Sequence, residues 1–321
     1  MAAATRGPVA GHTGQVIVVQ CPGQGAQSPG MLSAWLDDST QEFLAELSEA
    51  AGLDLVELGT TASAEQIKNT AYAQPLIVTA GLLAWRHLAG PSAPSALAGK
   101  VGLVAGHSVG EITAAAVAGV LSPTAAVQLA AARGGAMAKA AQAGHTGMSA
   151  VVGGDRAEVL EAIAAAGAHA ANLNGPGQIV AAGGANALAA LAANPPAKAR
   201  VIALEVHGAF HSPAMSPAVE SVQRALEGLD FATPAIRLIS NRGGVDLTTG
   251  AEVAAGIAHQ ITSTVDWTAC CEQIAAAKPS LLVELAPAGV LTRIAKRAVP
   301  GVRAVAINTP QEAASLVEEE K

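Results

Sequence analysis

The stretch from Val101 to Gly110 constrains this chain more than any other. Val101–Ala105 is a short apolar run carrying β-branched valines, and Gly106-His107-Ser108-Val109-Gly110 follows it at once. Glu111–Ala118 then reads as a helix. A strand that turns through glycines directly into a helix is an α/β signature. The pentapeptide fits G-x-S-x-G. Its glycines permit a sharp turn without Cβ clashes. The turn lifts the serine hydroxyl above the sheet and leaves the next backbone N–H groups unpaired. Ser108 is the candidate nucleophile. An ordinary serine in an exposed turn is the plainer reading, and the flanking strand and helix weigh against it.

The rest of the chain supports this class. Gln15–Gln20 reads as a buried strand ended by Pro22-Gly23, and Gln41–Ala51 and Gln74–Ala89 read as helices. Ser122-Pro123, a capping residue followed by a first-turn proline, starts a helix running to about Lys139. Between residues 147 and 205 the order is β-α-β-β-α-β: Gly147–Gly153, Arg156–Ala165, His169–Asn174, Gln178–Ala182, Asn186–Ala193 and Arg200–Val206. The two middle strands flank Gly175-Pro176-Gly177. This split βαβ pattern predicts a ferredoxin-like subdomain, residues 143–207, inserted into a large α/β-hydrolase-like domain of residues 15–142 and 208–310. Leu281–Leu285 reads as the last strand. Residues 1–14 and 311–321 read as tails, the second frayed at Glu318-Glu319-Glu320-Lys321.

Composition removes several function classes. There are 18 basic and 25 acidic residues, a net charge of −7 with no dense basic block, which argues against nucleic acid. Aromatics are only 2% of the chain, too few for a base-stacking platform. Cys21, Cys270 and Cys271 show no CxxC or metal spacing, so a reduced, cytoplasmic setting without metal is expected. The apolar run Ala114–Leu121 is too short to span a membrane. The first fifteen residues lack the apolar stretch of a signal peptide. The 34 glycines and abundant alanine predict closely packed helices.

A serine nucleophile needs a base near neutral pH. His211 lies in Gly208-Ala209-Phe210-His211-Ser212-Pro213, just after the inserted segment closes, where it can overhang a cleft. His259 competes, because an α/β-hydrolase places its histidine last, after an acid. His107 is better suited to bracing the turn beside Ser108. In Gly23-Gln24-Gly25 the glycines let backbone approach a ligand closely. The Gln24 N–H can serve as an oxyanion donor beside that of Val109. The alternative is a plain glycine turn; the spacing is not that of a dinucleotide site. Arg133 sits in an Ala-rich helix between Ala132 and Gly134. It either snorkels to water or reaches into a site, where its planar fork suits a carboxylate.

Taken in order, these stretches resemble the malonyl-CoA:acyl carrier protein transacylase family of fatty-acid and polyketide synthesis. The resemblance runs from about Gln15 to Ile307. It rests on Pro22-Gly23-Gln24-Gly25-Ala26-Gln27, Gly106–Glu111, Arg133-Gly134 with Met137, Gly147-Met148, Asn172–Gln178, and Ala209–Pro213 with Met215. It implies that Ser108 is acylated, that His211 is the base, and that the N–H groups of Gln24 and Val109 form the oxyanion hole. Arg133 would pair with the malonyl carboxylate, Phe210 would exclude a 2-methyl group, and His107 would lie near the acyl group. Gln260 would orient His211 through its main-chain carbonyl and belong to the substrate-binding set, with Asn174 and Met137 as support. No Asp is then needed, and His259 becomes a neighbour rather than the base.

The implied partners are malonyl-CoA and an acyl carrier protein whose phosphopantetheine thiol accepts the group. No cofactor is bound, and the family is usually monomeric. Three features depart from the family pattern: Thr264 for Pro, Asp266 for Arg, and Ala286-Pro287-Ala288 for Gly-Pro-Gly. A serine esterase or thioesterase would instead need a C-terminal His and an intervening acid, and gives Arg133 no task. A non-catalytic carrier-binding scaffold would not need both Ser108 and His211.

Overall fold

In the computed structural model, residues 16–90, 95–206 and 208–321 are described. The expected N-terminal tail, and Gln15 of the first strand, lie outside them. The strands among the described residues are β1 (Ile17–Cys21), β2 (Val101–Gly106), β3 (Thr146–Gly153), β4 (His169–Leu173), β5 (Gln178–Gly184), β6 (Ala199–Ala203), β7 (Arg237–Ile239), β8 (Asp246–Leu247), β9 (Val265–Asp266), β10 (Leu281–Glu284) and β11 (Arg303–Ala306).

Two sheets organise the chain. The larger has the order β11-β10-β1-β2-β7-β8. All its pairings are parallel except the last, β7 with β8. Central β1 is entirely buried, as a strand covered on both faces must be. Alternate residues feed two separate cores: Ile17 and Val19 join the core containing the helices Thr70–Ala89 and Pro123–Gln142, and Val18 joins the one containing Trp267, Cys270 and Leu291. The serine turn leaves the C-terminal end of β2, in the middle of this sheet.

The second sheet has the order β6-β3-β5-β4-β9. Its first four strands come from the inserted segment and are antiparallel wherever they pair. Helices Arg156–Ala165 and Ala185–Ala193 contribute to its small apolar core through Val159, Ile163 and Leu191. One strand is not inserted: β9, from the later part of the chain, pairs parallel with β4. Thr264 and Asp266 sit at this junction. The Thr264 hydroxyl donates to the Ala170 carbonyl at 2.7 Å, and the Asp266 carboxylate caps helix Trp267–Ala276 by accepting from Ala269 N–H at 2.9 Å. Two of the three departures from the family pattern are thus put to structural use.

Two expectations about the C-terminus are corrected. Leu281–Glu284 is not the last strand, because β11 extends the sheet beyond it. Residues 311–321, expected as a tail, form most of the helix Pro310–Glu319. Thr309 and Glu312 close a capping box at its start, and Ala313 and Leu316 enter the main core. The acidic end is tied down by ion pairs from Lys100 to Glu320 and from Arg303 to Glu319. Close helix packing is realised at Gly134. A Cβ there would stand 2.6 Å from the Thr70 carbonyl of the neighbouring helix.

Candidate active site

The turn after β2 has little freedom. A Cβ on Gly106 would fall 2.0 Å from the Gly110 carbonyl oxygen, and one on Gly110 would fall 2.1 Å from that of Cys21. Both positions therefore require glycine. Between them Ser108 is held at φ +53°, a left-handed conformation that costs a serine roughly 1–3 kcal/mol. Asn241 stabilises it: its Oδ1 accepts the Ser108 N–H at 2.8 Å, and its Nδ2 donates to the Gly106 carbonyl at 2.7 Å.

His211 meets this serine across the cleft. It too has a positive φ, +55°, and it is buried. Its Nε2 lies 2.7 Å from Ser108 Oγ, and its Nδ1 lies 2.9 Å from the Gln260 main-chain carbonyl. A carbonyl can only accept, so Nδ1 carries the proton. Nε2 is then the free lone pair that receives the Ser108 hydroxyl proton. Burial first, and then the nearby Arg133 charge, depress the His211 pKa from its ordinary 6.5 to about 3. The imidazole is neutral at physiological pH, the state a general base needs. His259 is in neither contact; it lies in the last turn of helix Gly250–Gln260.

Arg133 is the cation of the site and has no exposed surface. Its Nη1 donates to Gln74 Oε1 and its Nη2 to Gln260 Oε1, both at 2.7 Å. Its Nε–H has no partner. Burial lowers its pKa to about 10, against the raising influence of Glu111. It remains a cation with unspent donors, set in a polar cluster behind the cavity wall rather than in its lining. The snorkelling alternative is excluded. Gln260 does not line the cavity as expected; it lies behind it, its carbonyl on His211 and its side chain on Arg133.

A cavity of about 460 Å³ opens in front of Ser108 and His211, within the ordinary range for small-molecule sites. The large unit supplies Gln24, Gln74, His107, Met137, Phe210 and Leu291 to its wall. The inserted segment supplies Met148, Asn174 and Val180. His107 is half-buried and fixed by Asn174, whose Oδ1 is 2.8 Å from its Nε2, and by an edge contact with Trp267. The Gln24 loop packs on the serine turn, since a Cβ on Gly23 would be 2.6 Å from the His107 carbonyl oxygen. Neither the Gln24 nor the Val109 N–H has a hydrogen-bond partner among the described residues. Met137 accepts a weak bond from Gln74 Nε2 at 3.5 Å. A larger groove of about 720 Å³ runs alongside, sharing Gln24, Lys68, Glu205, Val206 and Phe210. It lacks the nucleophile and base, so the smaller cavity is the reaction site.

Three functional residues were not picked out from the sequence: Gln74, Glu111 and Asn241. Glu111 closes the Gly106–Glu111 motif with no task of its own legible there. Gln74 carried a faint signal, as a polar side chain opening the run Gln74–Ala84, which is apolar apart from Thr79. Asn241 carried none.

A serine on a strained strand-to-helix turn, a neutral histidine base and free backbone donors define a centre for covalent acyl transfer. The model of the acyl transferase domain family matches residues 18–314. A curated relative, the malonyl CoA-acyl carrier protein transacylase of Mycobacterium tuberculosis, is 48% identical over 92% of this chain and 97% of its own length. A crystal structure of MCAT from the same organism superposes with a TM-score of 0.91, covering 94% of this chain and 99% of the other. A complex of a type II PKS acyl-carrier protein with its malonyl-transacylase is also similar. Its TM-score is 0.85 and its identity 28%, over 95% of this chain and 99% of that one. The chain belongs to the malonyl CoA-acyl carrier protein transacylase family.

Proposed function

We propose that this chain moves a malonyl group from malonyl-CoA to the phosphopantetheine thiol of an acyl carrier protein, with Ser108 as the temporary carrier. The observation that carries the reading is the Ser108–His211 contact at 2.7 Å, with His211 held by a backbone carbonyl and Arg133 buried beside it. In the first half-reaction Ser108 Oγ attacks the thioester carbonyl as its proton passes to His211 Nε2. The oxyanion is received by the N–H groups of Gln24 and Val109. The tetrahedral adduct collapses, and His211 returns the proton to the departing thiolate of coenzyme A. In the second half, His211 takes the proton of the carrier thiol. The thiolate attacks the malonyl-serine ester, and the serine leaves with that proton.

Arg133 supplies selectivity by pairing its remaining N–H donors with the malonyl carboxylate. Such a pairing also positions the ester for the thiol rather than for water. Phe210, buried against the cavity, occupies the room a 2-methyl branch would need. One methyl is worth roughly 1–3 kcal/mol, so discrimination against methylmalonyl is moderate. His107 and Asn174 shape the wall near the acyl group, and Met137 supports Gln74.

Structurally, we read residues 143–207 as a ferredoxin-like subdomain inserted into an α/β-hydrolase-like unit of residues 15–142 and 208–310, to which the helix Pro310–Glu319 also belongs. The strand order β6-β3-β5-β4 supports this division. No helix among the described residues is long and apolar enough to cross a membrane.

The test is intact-mass analysis after mixing with malonyl-CoA. The native chain gains about 86 Da, one malonyl group, and Ser108→Ala gains nothing. An adduct surviving in Ser108→Ala would place the nucleophile elsewhere. Arg133→Ala is expected to lose malonyl transfer while gaining relative activity on uncharged acyl-CoA donors. Unchanged malonyl kinetics would sink the carboxylate assignment.

A further inference from the structure

Glu111 has no part in the reaction as derived above, yet only 5% of its surface is exposed. It lies in the first turn of helix Gly110–Val117, three residues beyond the nucleophile. Each of its oxygens serves a different donor. Oε1 accepts the Asn241 backbone N–H, and Oε2 accepts from Gln260 Nε2 at 2.8 Å. Both donors belong to residues that hold the site: Asn241 receives the Ser108 N–H, and Gln260 bonds His211 and Arg133.

The chemistry of an amide makes this arrangement directional. Gln260 has an oxygen end and a nitrogen end of nearly equal shape. Arg133 has only donors, so Gln260 can bond it only with the oxygen end forward. The nitrogen end must then find acceptors behind it. Asn241 Oδ1 takes one of its protons at 3.0 Å, but that oxygen is shared with Ser108 N–H. The other proton goes to Glu111. A carboxylate accepts at both oxygens and donates at neither, so it opposes the reverse orientation of Gln260.

We propose that Glu111 is a positioning residue for acyl selectivity, locking the Gln260 amide so that Arg133 is held in register with His211 and Ser108. The proposal rests on the reading of Arg133 as the partner of the malonyl carboxylate. Burial raises the Glu111 pKa to about 7, against the Asn241 N–H bond and, less strongly, the Arg133 charge; both oxygens face N–H donors, which is the arrangement of the ionised form. Glu111 also offsets the Arg133 charge while no acyl carboxylate is present.

Glu111→Gln is the discriminating change. It keeps the shape, but its single oxygen can accept only one of the two N–H groups. Single-turnover acylation of Ser108 would be measured with malonyl-CoA and with acetyl-CoA, for Glu111→Gln, Gln260→Ala, the double variant and Arg133→Ala. Gln260→Ala removes the side chain but keeps the carbonyl that orients His211. The expected result for Glu111→Gln is about a tenfold fall in kcat/KM with malonyl-CoA, mostly in KM, and little change with acetyl-CoA. Gln260→Ala should show the same donor-selective loss, and the double variant should lose no more than Gln260→Ala alone.

Equal losses on both donors in Glu111→Gln would overturn the proposal, as would losses that multiply in the double variant. Should Glu111→Gln not fold, an unchanged malonyl-to-acetyl ratio in Gln260→Ala overturns it instead. Failure of the underlying reading looks different: Arg133→Ala would itself keep the native ratio.

Discussion

The floor of the reaction cavity and its rim are built in opposite ways. The floor is the large unit's buried polar web: Ser108, Asn241, Glu111, Gln260, Arg133 and His211, each hydrogen-bonded to at least one other member. The rim on the inserted side meets the large unit through an exposed ion pair, Lys68 to Glu205 at 2.7 Å, outside the buried apolar wall of Met148 and Val180. In a buried web each missing partner leaves a desolvated polar group behind. At an exposed rim, water replaces whatever is lost. The contrast assigns chemistry to the buried floor and access to the exposed rim.

The sharpest way to break this contrast is at Asn241. Asn241→Ala leaves the Ser108 N–H, the Gly106 carbonyl and part of Gln260 without partners. Unfolding in urea should show a loss of about 2–4 kcal/mol, and Ser108 acylation should slow on the order of a hundredfold. A variant with native stability and rate would mean that the strained turn supports itself.

An intermediate effect concerns pH. Folding depresses the His211 pKa from 6.5 to about 3, so between those values the unfolded chain holds a proton that the folded chain does not. Stability must therefore fall as pH drops through that window. Glu111 has the opposite sign. Its pKa is raised from 4.5 to about 7, so the folded chain holds the extra proton and gains stability as pH falls there. Denaturation of His211→Gln between pH 7 and 4 should lack the His211 loss and decline less steeply than the native chain. Parallel curves would show that His211 is not held neutral.

The smallest effect is expected at the rim. The Lys68 and Glu205 side chains are 45% and 85% exposed, so Lys68→Ala should leave Tm and the acylation step nearly unchanged and move KM by no more than about twofold. The native chain in high salt should approach the variant. A large fall in the acylation rate would make the rim part of the chemistry.

What the sequence revealed follows the same division. The serine turn was legible because its glycines are sterically compelled, and the inserted strands because short apolar runs alternate with clear turns. His211 stood out through its place after the inserted segment. The C-terminal helix was misread because three glutamates suggest solvent, although Thr309, Glu312, Ala313 and Leu316 already spelled a capped amphipathic turn. Strand β11 is four residues, Arg303–Ala306, too short to carry a period. Asn241 could not be found, because a lone asparagine after a short strand acquires its meaning from partners such as Ser108 and Gly106, more than a hundred positions away.

The acceptor that orients His211 is a peptide carbonyl, whereas a side-chain carboxylate could be deleted by a single codon change. No substitution at position 260 other than one that moves the backbone can take it away. The acceptor that orients the base is thus sheltered from point mutation, while the amide on the same residue stays open to change. Evolution or an engineer can alter which acyl group is chosen at Gln260 and Arg133 without dismantling the means of transferring it.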